Sequence, residues 1–220
     1  MKKAITLLSG GLDSAVATLL AKKRHRIALA LTFDYGQRAA RREIRAARAF
    51  CRRYKIAHEI VQIPWLTRIS HSALTDRKKK LPVSISKNSA KAVWVPNRNA
   101  IFVNIAAGYA EAKGYDFIVA GFNAEEARTF PDNSKKFVER SNKLFFASTH
   151  SHPKLLSPTQ KMTKKDIARK AVHLKIDSHF FWSCYEGSAK MCARCESCVR
   201  TIRAFKAIDA WELYGKLFHQ

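Results

Sequence analysis

The opening part of the chain alternates between short apolar runs and longer stretches in which apolar positions recur every three or four residues. Short apolar runs bounded by turn residues are typical of buried strands, and the longer spacing is typical of helices. The pattern predicts strands over 3–8, 26–33 and 58–63, and helices over 12–23 and 37–54. This strand–helix–strand–helix–strand order predicts a parallel sheet with helices on its faces.

The same pattern continues, less regularly, to the end of the chain. It predicts helices over 99–113 and 133–149, a strand over 115–120, a helix that Thr163 opens with Asp166 at the capping-box position, and a last helix from about Val199. We therefore expect a doubly wound, Rossmann-like parallel sheet over residues 1–175 and a small C-terminal segment over residues 176–220.

Residues 70–94 interrupt the pattern with basic and polar positions. A long stretch without periodicity is either a functional loop or a plain surface insertion. We expect a mobile loop over the site, with the surface insertion as an equal alternative.

The composition predicts a packed hydrophobic core and argues against a membrane protein. Hydrophobic residues make up 47% of the 220 residues, which is enough for a core. The apolar N-terminal run is broken by Ser9-Gly10-Gly11 too early for a signal peptide, and no stretch has the roughly 20 apolar residues of a membrane span. We expect a soluble, cytoplasmic protein.

The chain is strongly basic, with 41 Lys and Arg residues against 17 Asp and Glu and a net charge of +24. A field of this sign attracts polyanions, so a nucleic-acid partner is one interpretation. The charge is spread along the chain, however, and its densest helical cluster, 38–55, interleaves arginine with alanine rather than with aromatic residues. We therefore favour a generally basic surface over nucleic-acid binding.

The clearest chemistry lies in the string Ser9-Gly10-Gly11-Leu12-Asp13-Ser14, which follows a predicted strand and opens a predicted helix. The first amides of a helix lack internal partners, and the helix dipole makes that end positive. Two glycines let the backbone approach an anion, and the Ser9 and Ser14 hydroxyls can donate to phosphate oxygens. A glycine-rich turn that only caps a helix is the alternative, but the whole string in this context favours phosphate binding.

Asp13 is the exception in this string, because a carboxylate should repel phosphate. We expect it either to orient a backbone turn or to hold a magnesium ion beside the phosphates. The string also lacks the Gly-Lys-Ser/Thr ending of the Walker pattern.

Four of the five cysteines, Cys184, Cys192, Cys195 and Cys198, lie in one short C-terminal window with seven, two and two residues between them. Four thiolates complete a tetrahedron around zinc and leave no open position. An iron–sulfur cluster or a redox dithiol are the alternatives. We expect structural zinc that contributes folding energy to this segment, and we interpret Cys51 as a core residue of the second helix.

Taken together, the motifs resemble those of the 7-cyano-7-deazaguanine (preQ0) synthases, a family of the ATP pyrophosphatase (PP-loop) superfamily. The resemblance rests on Leu8-Ser9-Gly10-Gly11-Leu12-Asp13-Ser14, Phe33-Asp34-Tyr35-Gly36-Gln37-Arg38, Val95-Pro96-Asn97-Arg98-Asn99, Ser157-Pro158, and Trp182-Ser183-Cys184-Tyr185 with the three later cysteines. It covers nearly the whole chain and implies a fold of the adenine nucleotide alpha hydrolase type.

The resemblance also implies a carbon–nitrogen ligase reaction. Members of the family adenylate 7-carboxy-7-deazaguanine, let ammonia displace AMP to give an amide, and use a second ATP to dehydrate the amide to a nitrile. Magnesium assists the phosphates, zinc is structural, and the family suggests a homodimer in queuosine biosynthesis.

Residue roles follow from the resemblance as expectations. The loop from Leu8 to Ser14 would hold the β and γ phosphates, and the end of the second strand, near Phe33 and Asp34, would lie beside the adenosine. The expected catalytic residues are Asp13, Ser14 and Arg98. Arg98 would stabilise charge on the phosphate or carboxylate, although a solvated arginine at a helix start is the alternative.

The expected substrate contacts are Arg98, Asn99, Glu126 and Asp132. Two of these, Glu126 and Asp132, would accept hydrogen bonds from a guanine-like N–H edge, with surface carboxylates beside a turn as the alternative.

The sequence departs from the family pattern around the expected acceptor site. Asn97 stands where many members have glycine, and the strings 121–126 and 130–134 differ from the usual Gly-x-His-x-Glu-Asp and Tyr-Pro-Asp-Cys-Arg. Other interpretations therefore stay open: a tRNA-modifying PP-loop enzyme such as a thiolase, a ligase acting on another carboxylate, or a zinc-stapled nucleic-acid-binding module. The last of these leaves the phosphate loop unexplained.

Overall fold

A computed structural model of the chain describes residues 1–83 and 87–219. Five strands form one sheet in the order β3-β2-β1-β4-β5, and every neighbouring pair is parallel. The strands are β1 Lys3–Leu7, β2 Arg26–Asp34, β3 Ala57–Gln62, β4 Phe117–Val119 and β5 Lys154–Leu156. The doubly wound parallel sheet that the sequence predicts is confirmed.

Helices connect the strands and cover both faces of the sheet. Within the described ranges they are α1 Leu12–Lys22, α2 Ala40–Tyr54, α3 Pro64–Ile69, α4 Lys87–Val93, α5 Arg98–Lys113, α6 Lys135–Ser148, α7 Lys164–His173, α8 Glu196–Lys206 and α9 Trp211–Tyr214. The predicted capping box is confirmed at α7, where Thr163 Oγ1 accepts from the Asp166 amide and the Asp166 carboxylate accepts from the Thr163 amide.

Some predicted boundaries are wrong, each for a local reason. Helix α2 begins at Ala40 rather than at Gln37, because the Gln37 side chain is used in the preceding turn. Helix α8 begins at Glu196 rather than near Val199. The short β5 and α3 escaped prediction, since three to six residues carry too little periodicity to show in the sequence.

The segment 70–94 is not an irregular loop throughout. Its last part forms α4, while residues 84–86 lie outside the described residues. Leu74 and Val93 are buried in the hydrophobic core, so much of the described segment is anchored rather than a plain surface insertion. The expected mobility of this segment over the site stays a prediction.

The core is divided by the sheet into two clusters. Neighbouring residues of β1 face opposite ways, so Ala4 belongs to one cluster and Ile5 to the other. The first cluster continues from α1 and α7 into the C-terminal segment, where Phe181 and Phe205 are fully buried. The C-terminal segment thus packs on the same core as the sheet, and the division at residues 175 and 176 stays a prediction.

Cys51 is 3% exposed within this first cluster, as the sequence predicts. In the part of the chain that the structure describes, no helix combines the length and the apolar character that crossing a membrane requires.

Candidate functional site

A pocket opens at the carboxyl ends of the strands, beside the two central strands β1 and β4. The chain leaves β1 toward β2 on one side, and β4 and β5 lie on the other, so the strand order reverses between β1 and β4. Open parallel sheets bind ligands in the crevice at such a switch point. Residues of both strand ends line the pocket, among them Leu8, Ser9, Ala120 and Gly121.

The loop between β1 and α1 forms one wall of the pocket. The first hydrogen bond within the helix runs from the Ala15 amide to the Gly11 carbonyl at 3.2 Å. The amides of Leu12, Asp13 and Ser14 precede that bond and are therefore available at the positive end of the helix. This arrangement suits an anion such as the polyphosphate of a nucleotide.

Two glycines allow the tight packing of this loop. Gly10 has a φ of 77°, and a Cβ there would lie 2.3 Å from the carbonyl oxygen of Glu43. A Cβ on Gly121, at the end of β4, would lie 2.7 Å from the amide nitrogen of Ser14. Neither position has room for a larger residue, and both hold the helix start close to the strand ends.

The expected phosphate contacts are only partly brought into the pocket. Of the residues that the structure describes, Leu8, Ser9, Gly11, Leu12, Asp13 and Ser14 line it, whereas Gly10 does not. Ser9 Oγ and Ser14 Oγ lie 3.1 Å apart, and the Ser14 hydroxyl also donates to the Gly11 carbonyl at 3.0 Å.

Asp13 is engaged by side chains rather than by a backbone turn. Its Oδ1 accepts from Lys164 Nζ at 2.6 Å, and its Oδ2 accepts from Asn123 Nδ2 at 2.9 Å. Both ions of the pair are largely buried. The loop carboxylate is therefore neutralised by a lysine. Asn123 Oδ1 in turn accepts from the amides of Glu125 and Glu126, so Asp13 contacts the next backbone turn only through Asn123.

Lys164 lines the pocket and was not found from the sequence. Burial opposes its charge, but Asp13 and Glu126 outweigh burial and raise the pKa of Lys164, so the ammonium is retained. The only local signal was the predicted helix start at Thr163, because the strand before it, β5, is too short to show in the sequence.

Glu126 lies in the same corner of the pocket. Burial and the charge of Asp13 raise the pKa of the Glu126 carboxyl, while Lys164 works in the opposite direction.

Arg98 lies at the start of α5, is half-buried and lines the pocket. Its guanidinium donates to the Tyr35 hydroxyl at 3.0 Å. Burial opposes its charge, but Tyr35 and Asp132 outweigh burial and raise the pKa of Arg98. The preceding residue, Asn97, adopts the left-handed conformation with a φ of 54°, which asparagine tolerates in place of glycine.

Asp132 and Asn99 are joined to each other across the pocket wall. The Asn99 amide donates to Asp132 Oδ2 at 3.2 Å, and Asn133 Nδ2 donates to Oδ1 at 3.2 Å. Burial raises the pKa of Asp132 despite the nearby Arg98. Asp132 is 7% exposed, so the alternative of a surface carboxylate is wrong at this position.

The end of β2 contributes Phe33 but not Asp34 to the pocket, among the residues that the structure describes. Phe33 stacks on Phe102 with ring centroids 4.1 Å apart and an interplanar angle of 6°. Asp34 Oδ1 instead accepts from the Gly36 amide at 3.1 Å, which closes the turn after the strand. The side chain of Asp34 is therefore structural in this conformation.

A half-buried carboxyl, Glu43, also lines the pocket and was missed by sequence reasoning. Gln37 Nε2 donates to Glu43 Oε2 at 2.7 Å and to the Phe33 carbonyl at 3.0 Å. Burial raises the pKa of Glu43 to about 7, although the Gln37 hydrogen bond lowers it. On a helix rich in charged residues, nothing in the sequence separates this carboxyl from its solvated neighbours.

The four C-terminal cysteines come together beside the pocket, with all sulfur atoms within 4.8 Å of one another. Cys192 Sγ and Cys198 Sγ are 3.9 Å apart. Four sulfurs at about 2.3 Å from one tetrahedral ion would be separated by about 3.8 Å. The cluster therefore fits a single metal ion.

Backbone amides donate to these sulfurs. The amides of Glu186 and Cys192 both donate to Cys184 Sγ, and the Cys195 amide donates to Cys192 Sγ, each at 3.3 Å. Such donors stabilise thiolates, which are the form that binds a metal.

Comparison with known proteins gives a match along most of the chain. The sequence model of a family described as Queuosine biosynthesis protein QueC matches residues 3–209. The chain is 44% identical over 218 residues to a 7-cyano-7-deazaguanine synthase of Methanosarcina mazei, covering 94% of both chains. It is 45% identical over 213 residues to that of Pelotomaculum thermopropionicum, covering 93% of this chain and 96% of the relative.

Among solved structures, the chain is similar to a U34-tRNA thiolase, NcsA from Methanococcus maripaludis, solved with its 4Fe–4S cluster. The TM-score is 0.54 with 18% sequence identity, and the likeness covers 96% of this chain and 65% of the thiolase. Identity this low shows a shared fold and carries no further argument about chemistry.

Proposed function

This chain belongs to the QueC family of queuosine biosynthesis proteins, and we propose that it converts 7-carboxy-7-deazaguanine and ammonia to 7-cyano-7-deazaguanine with ATP. The observation that carries this proposal is the match over residues 3–209, together with synthases that are 44% identical over 94% of both chains. The reaction class is that of an ATP-dependent carbon–nitrogen ligase.

ATP would lie along the pocket with its polyphosphate at the start of α1. The amides of Leu12, Asp13 and Ser14 offer donors to phosphate oxygens. The buried ring of Phe33, at the end of β2, offers an apolar surface to the adenosine. The side chain of Asp34 is not assigned a contact to ATP, because it accepts from the Gly36 amide in the turn after β2.

The first step joins the carboxylate oxygen of the acid to the α-phosphorus of ATP, and pyrophosphate leaves. Ammonia then attacks the acyl carbon, AMP leaves, and an amide remains after loss of a proton. In the second round the amide oxygen attacks the α-phosphorus of another ATP and pyrophosphate leaves. Loss of AMP and of the two N–H protons then gives the nitrile. Negative charge develops on phosphate oxygens in both rounds, so fixed cations in the pocket favour both.

Among the residues that the structure describes, two such cations line the pocket, Arg98 and Lys164. Lys164 is held at the phosphate loop by Asp13 at 2.6 Å. Arg98 is held by the Tyr35 hydroxyl and by the charge of Asp132. We assign charge stabilisation to both residues, and we assign to Asp13 the positioning of Lys164.

Glu126 is the better of the two expected readers of the deazapurine edge. Its carboxyl lines the pocket. Asp132 already accepts from Asn99 and Asn133, so it has fewer lone pairs left for a substrate. We infer that Asp132 and Asn99 shape the wall, and that Glu126 accepts from the base.

Two metals belong to the proposal. Magnesium would bind phosphate oxygens of ATP beside the loop carboxylate Asp13, whose oxygens already accept from Lys164 and Asn123. Zinc would be held by Cys184, Cys192, Cys195 and Cys198. Four thiolates leave zinc no open position, so its role would be structural.

The remaining features of the proposal follow the family. They are free ammonia as the nitrogen donor, a homodimer and a cytoplasmic location. The chain would also consist of an ATP-binding domain over residues 1–175 and a C-terminal zinc-binding segment over residues 176–220.

A tRNA thiolase is not favoured, because the solved thiolase is 18% identical whereas the synthases are 44% identical. The net charge of +24 does not by itself favour a nucleic-acid substrate.

The test is product analysis by mass spectrometry. The purified protein, loaded with zinc, is incubated with ATP, magnesium, ammonium and 7-carboxy-7-deazaguanine. We expect the amide first and the nitrile later, with AMP and pyrophosphate formed in each round. ATP cleavage with a different carboxylate, but not with this one, would replace the proposed substrate while keeping the ligase chemistry.

A further inference from the structure

The hydroxyl of Ser183 is buried at the pocket without a hydrogen-bond partner. Ser183 is 8% exposed and lines the pocket. Within the described residues, its Oγ has no hydrogen-bond donor or acceptor in reach. Leaving such a group unpaired costs roughly 1–3 kcal/mol, so a buried orphan hydroxyl calls for a ligand or another explanation.

The backbone holds Ser183 beside the phosphate loop. The amide of the preceding residue, Trp182, donates to the Gly10 carbonyl at 2.7 Å. The Trp182 indole donates to the Glu186 carbonyl at 3.0 Å, and Arg42 lies over its ring at 5.3 Å. Three contacts of Trp182 therefore fix the position of Ser183, and one of them is to Gly10 in the phosphate loop.

The two serine hydroxyls of the phosphate loop are already occupied by the protein. Ser9 Oγ accepts from the Gly11 amide at 3.2 Å and lies 3.1 Å from Ser14 Oγ. Ser14 Oγ donates to the Gly11 carbonyl. Ser183 is thus the hydroxyl of these three whose proton no protein group takes.

We propose that Ser183 donates a hydrogen bond to the polyphosphate tail of the bound nucleotide, as a third hydroxyl of the phosphate site. The cysteine-bearing segment then contributes directly to nucleotide binding as well as to the fold. This inference rests on the proposed function only in that the α1 loop holds the phosphates of ATP.

The proposal gives Ser183→Ala an unusual pair of effects. Removing a buried hydroxyl that has no partner removes a desolvation cost, so the free protein keeps or gains stability. Binding of a phosphate-bearing ligand loses one hydrogen bond to a charged group, which corresponds to roughly 10-fold to 100-fold in the dissociation constant. A hydroxyl with a purely structural role would show the opposite combination.

The experiment is calorimetric titration of the zinc-loaded wild type and Ser183→Ala with ATP, pyrophosphate and AMP, each in magnesium. We expect the variant to bind ATP and pyrophosphate at least about tenfold more weakly, to bind AMP as the wild type does, and to unfold at the same or a higher temperature. Ser188→Ala is the matched control, because Ser188 lies in the same segment but is exposed and does not line the pocket.

Equal pyrophosphate binding by the variant and the wild type would overturn the assignment of Ser183 while leaving the ligase function standing. A less stable variant would overturn it too, because the hydroxyl would then have a structural partner. A wild type that binds neither ATP nor pyrophosphate would overturn the nucleotide site itself.

Discussion

Lys164 Nζ lies 2.6 Å from Asp13 Oδ1, and the pair joins positions that are 151 residues apart. Each partner is about seven-eighths buried, with side-chain exposures of 13% and 14%. The loop carboxylate, which alone would repel phosphate, therefore belongs to an ion pair with no net charge. The ammonium group of Lys164 therefore lies beside the start of α1, where phosphate is expected.

We expect Lys164→Ala to reduce AMP formation about 100-fold, because one fixed donor to a developing charge is lost. The variant should also lose roughly 3 kcal/mol of unfolding free energy, since Asp13 is left as an unpaired buried charge. The rate of AMP release in the presence of 7-carboxy-7-deazaguanine measures the first effect, and urea denaturation measures the second. Lys165→Ala is the control, because Lys165 is exposed and next in the chain; similar losses in both variants would remove the role of Lys164.

We expect Arg98→Lys to reduce AMP formation by about 100-fold although the charge is kept. The planar guanidinium contacts the Tyr35 hydroxyl at 3.0 Å, and an ammonium on a flexible stem does not reproduce that geometry. Steady-state assays in which the concentrations of 7-carboxy-7-deazaguanine and of ATP are varied measure the loss. Tyr35→Phe removes only the acceptor and should cost less than Arg98→Lys; the reverse order would contradict the assignment.

Glu43 predicts a specific dependence of stability on pH. Burial raises the pKa of its carboxyl from 4.5 to about 7, so the folded protein holds a proton that the unfolded chain releases above pH 4.5. Stability from this group is full below pH 4.5 and is lost as the pH rises toward 7. Over that interval the loss is at most about 3 kcal/mol.

The measurement is urea denaturation of the wild type and Glu43→Gln at several pH values between 4.5 and 7.5. The amide does not titrate, so the difference in unfolding free energy between the two proteins should change steadily across the range. Parallel curves would show that Glu43 titrates alike in the folded and unfolded chains.

We expect metal and folded protein to be lost together when a cluster cysteine is replaced. Cys195→Ser should lower both the folded yield and the zinc content from the expected one ion per chain, because metal binding to this segment contributes folding free energy. Inductively coupled plasma mass spectrometry measures the zinc content, and circular dichroism measures the folded fraction. Cys51→Ala, a buried cysteine outside the cluster, should keep its metal; full zinc in Cys195→Ser would contradict the four-sulfur site.

Local strings of sequence were enough to predict the parts of the site that are continuous in the chain. The loop from Ser9 to Ser14 carries its strand, turn and helix start within a few residues. The C-terminal cysteines carry their spacing within one window. In both cases the residues that carry the chemistry are neighbours in the chain, so the local string was enough to predict the feature.

Parts of the site that form only between distant elements were not predictable in this way. The pairing of Asp13 with Lys164 depends on how α7 packs against α1, which no local pattern encodes. The same holds for the orientation of Asp34, which its own turn captures, and for the burial of Glu43 on an otherwise charged helix. The short strand β5 was missed because three residues carry no periodic signal.

The bond from the Trp182 amide to the Gly10 carbonyl has a consequence for synthesis of the protein. The nucleotide loop leaves the ribosome well before Trp182, so its Gly10 carbonyl has no such donor until the later segment has been synthesised. Contacts between such distant positions form late in folding. A nascent chain therefore completes its ATP site only after the cysteine segment is free to dock.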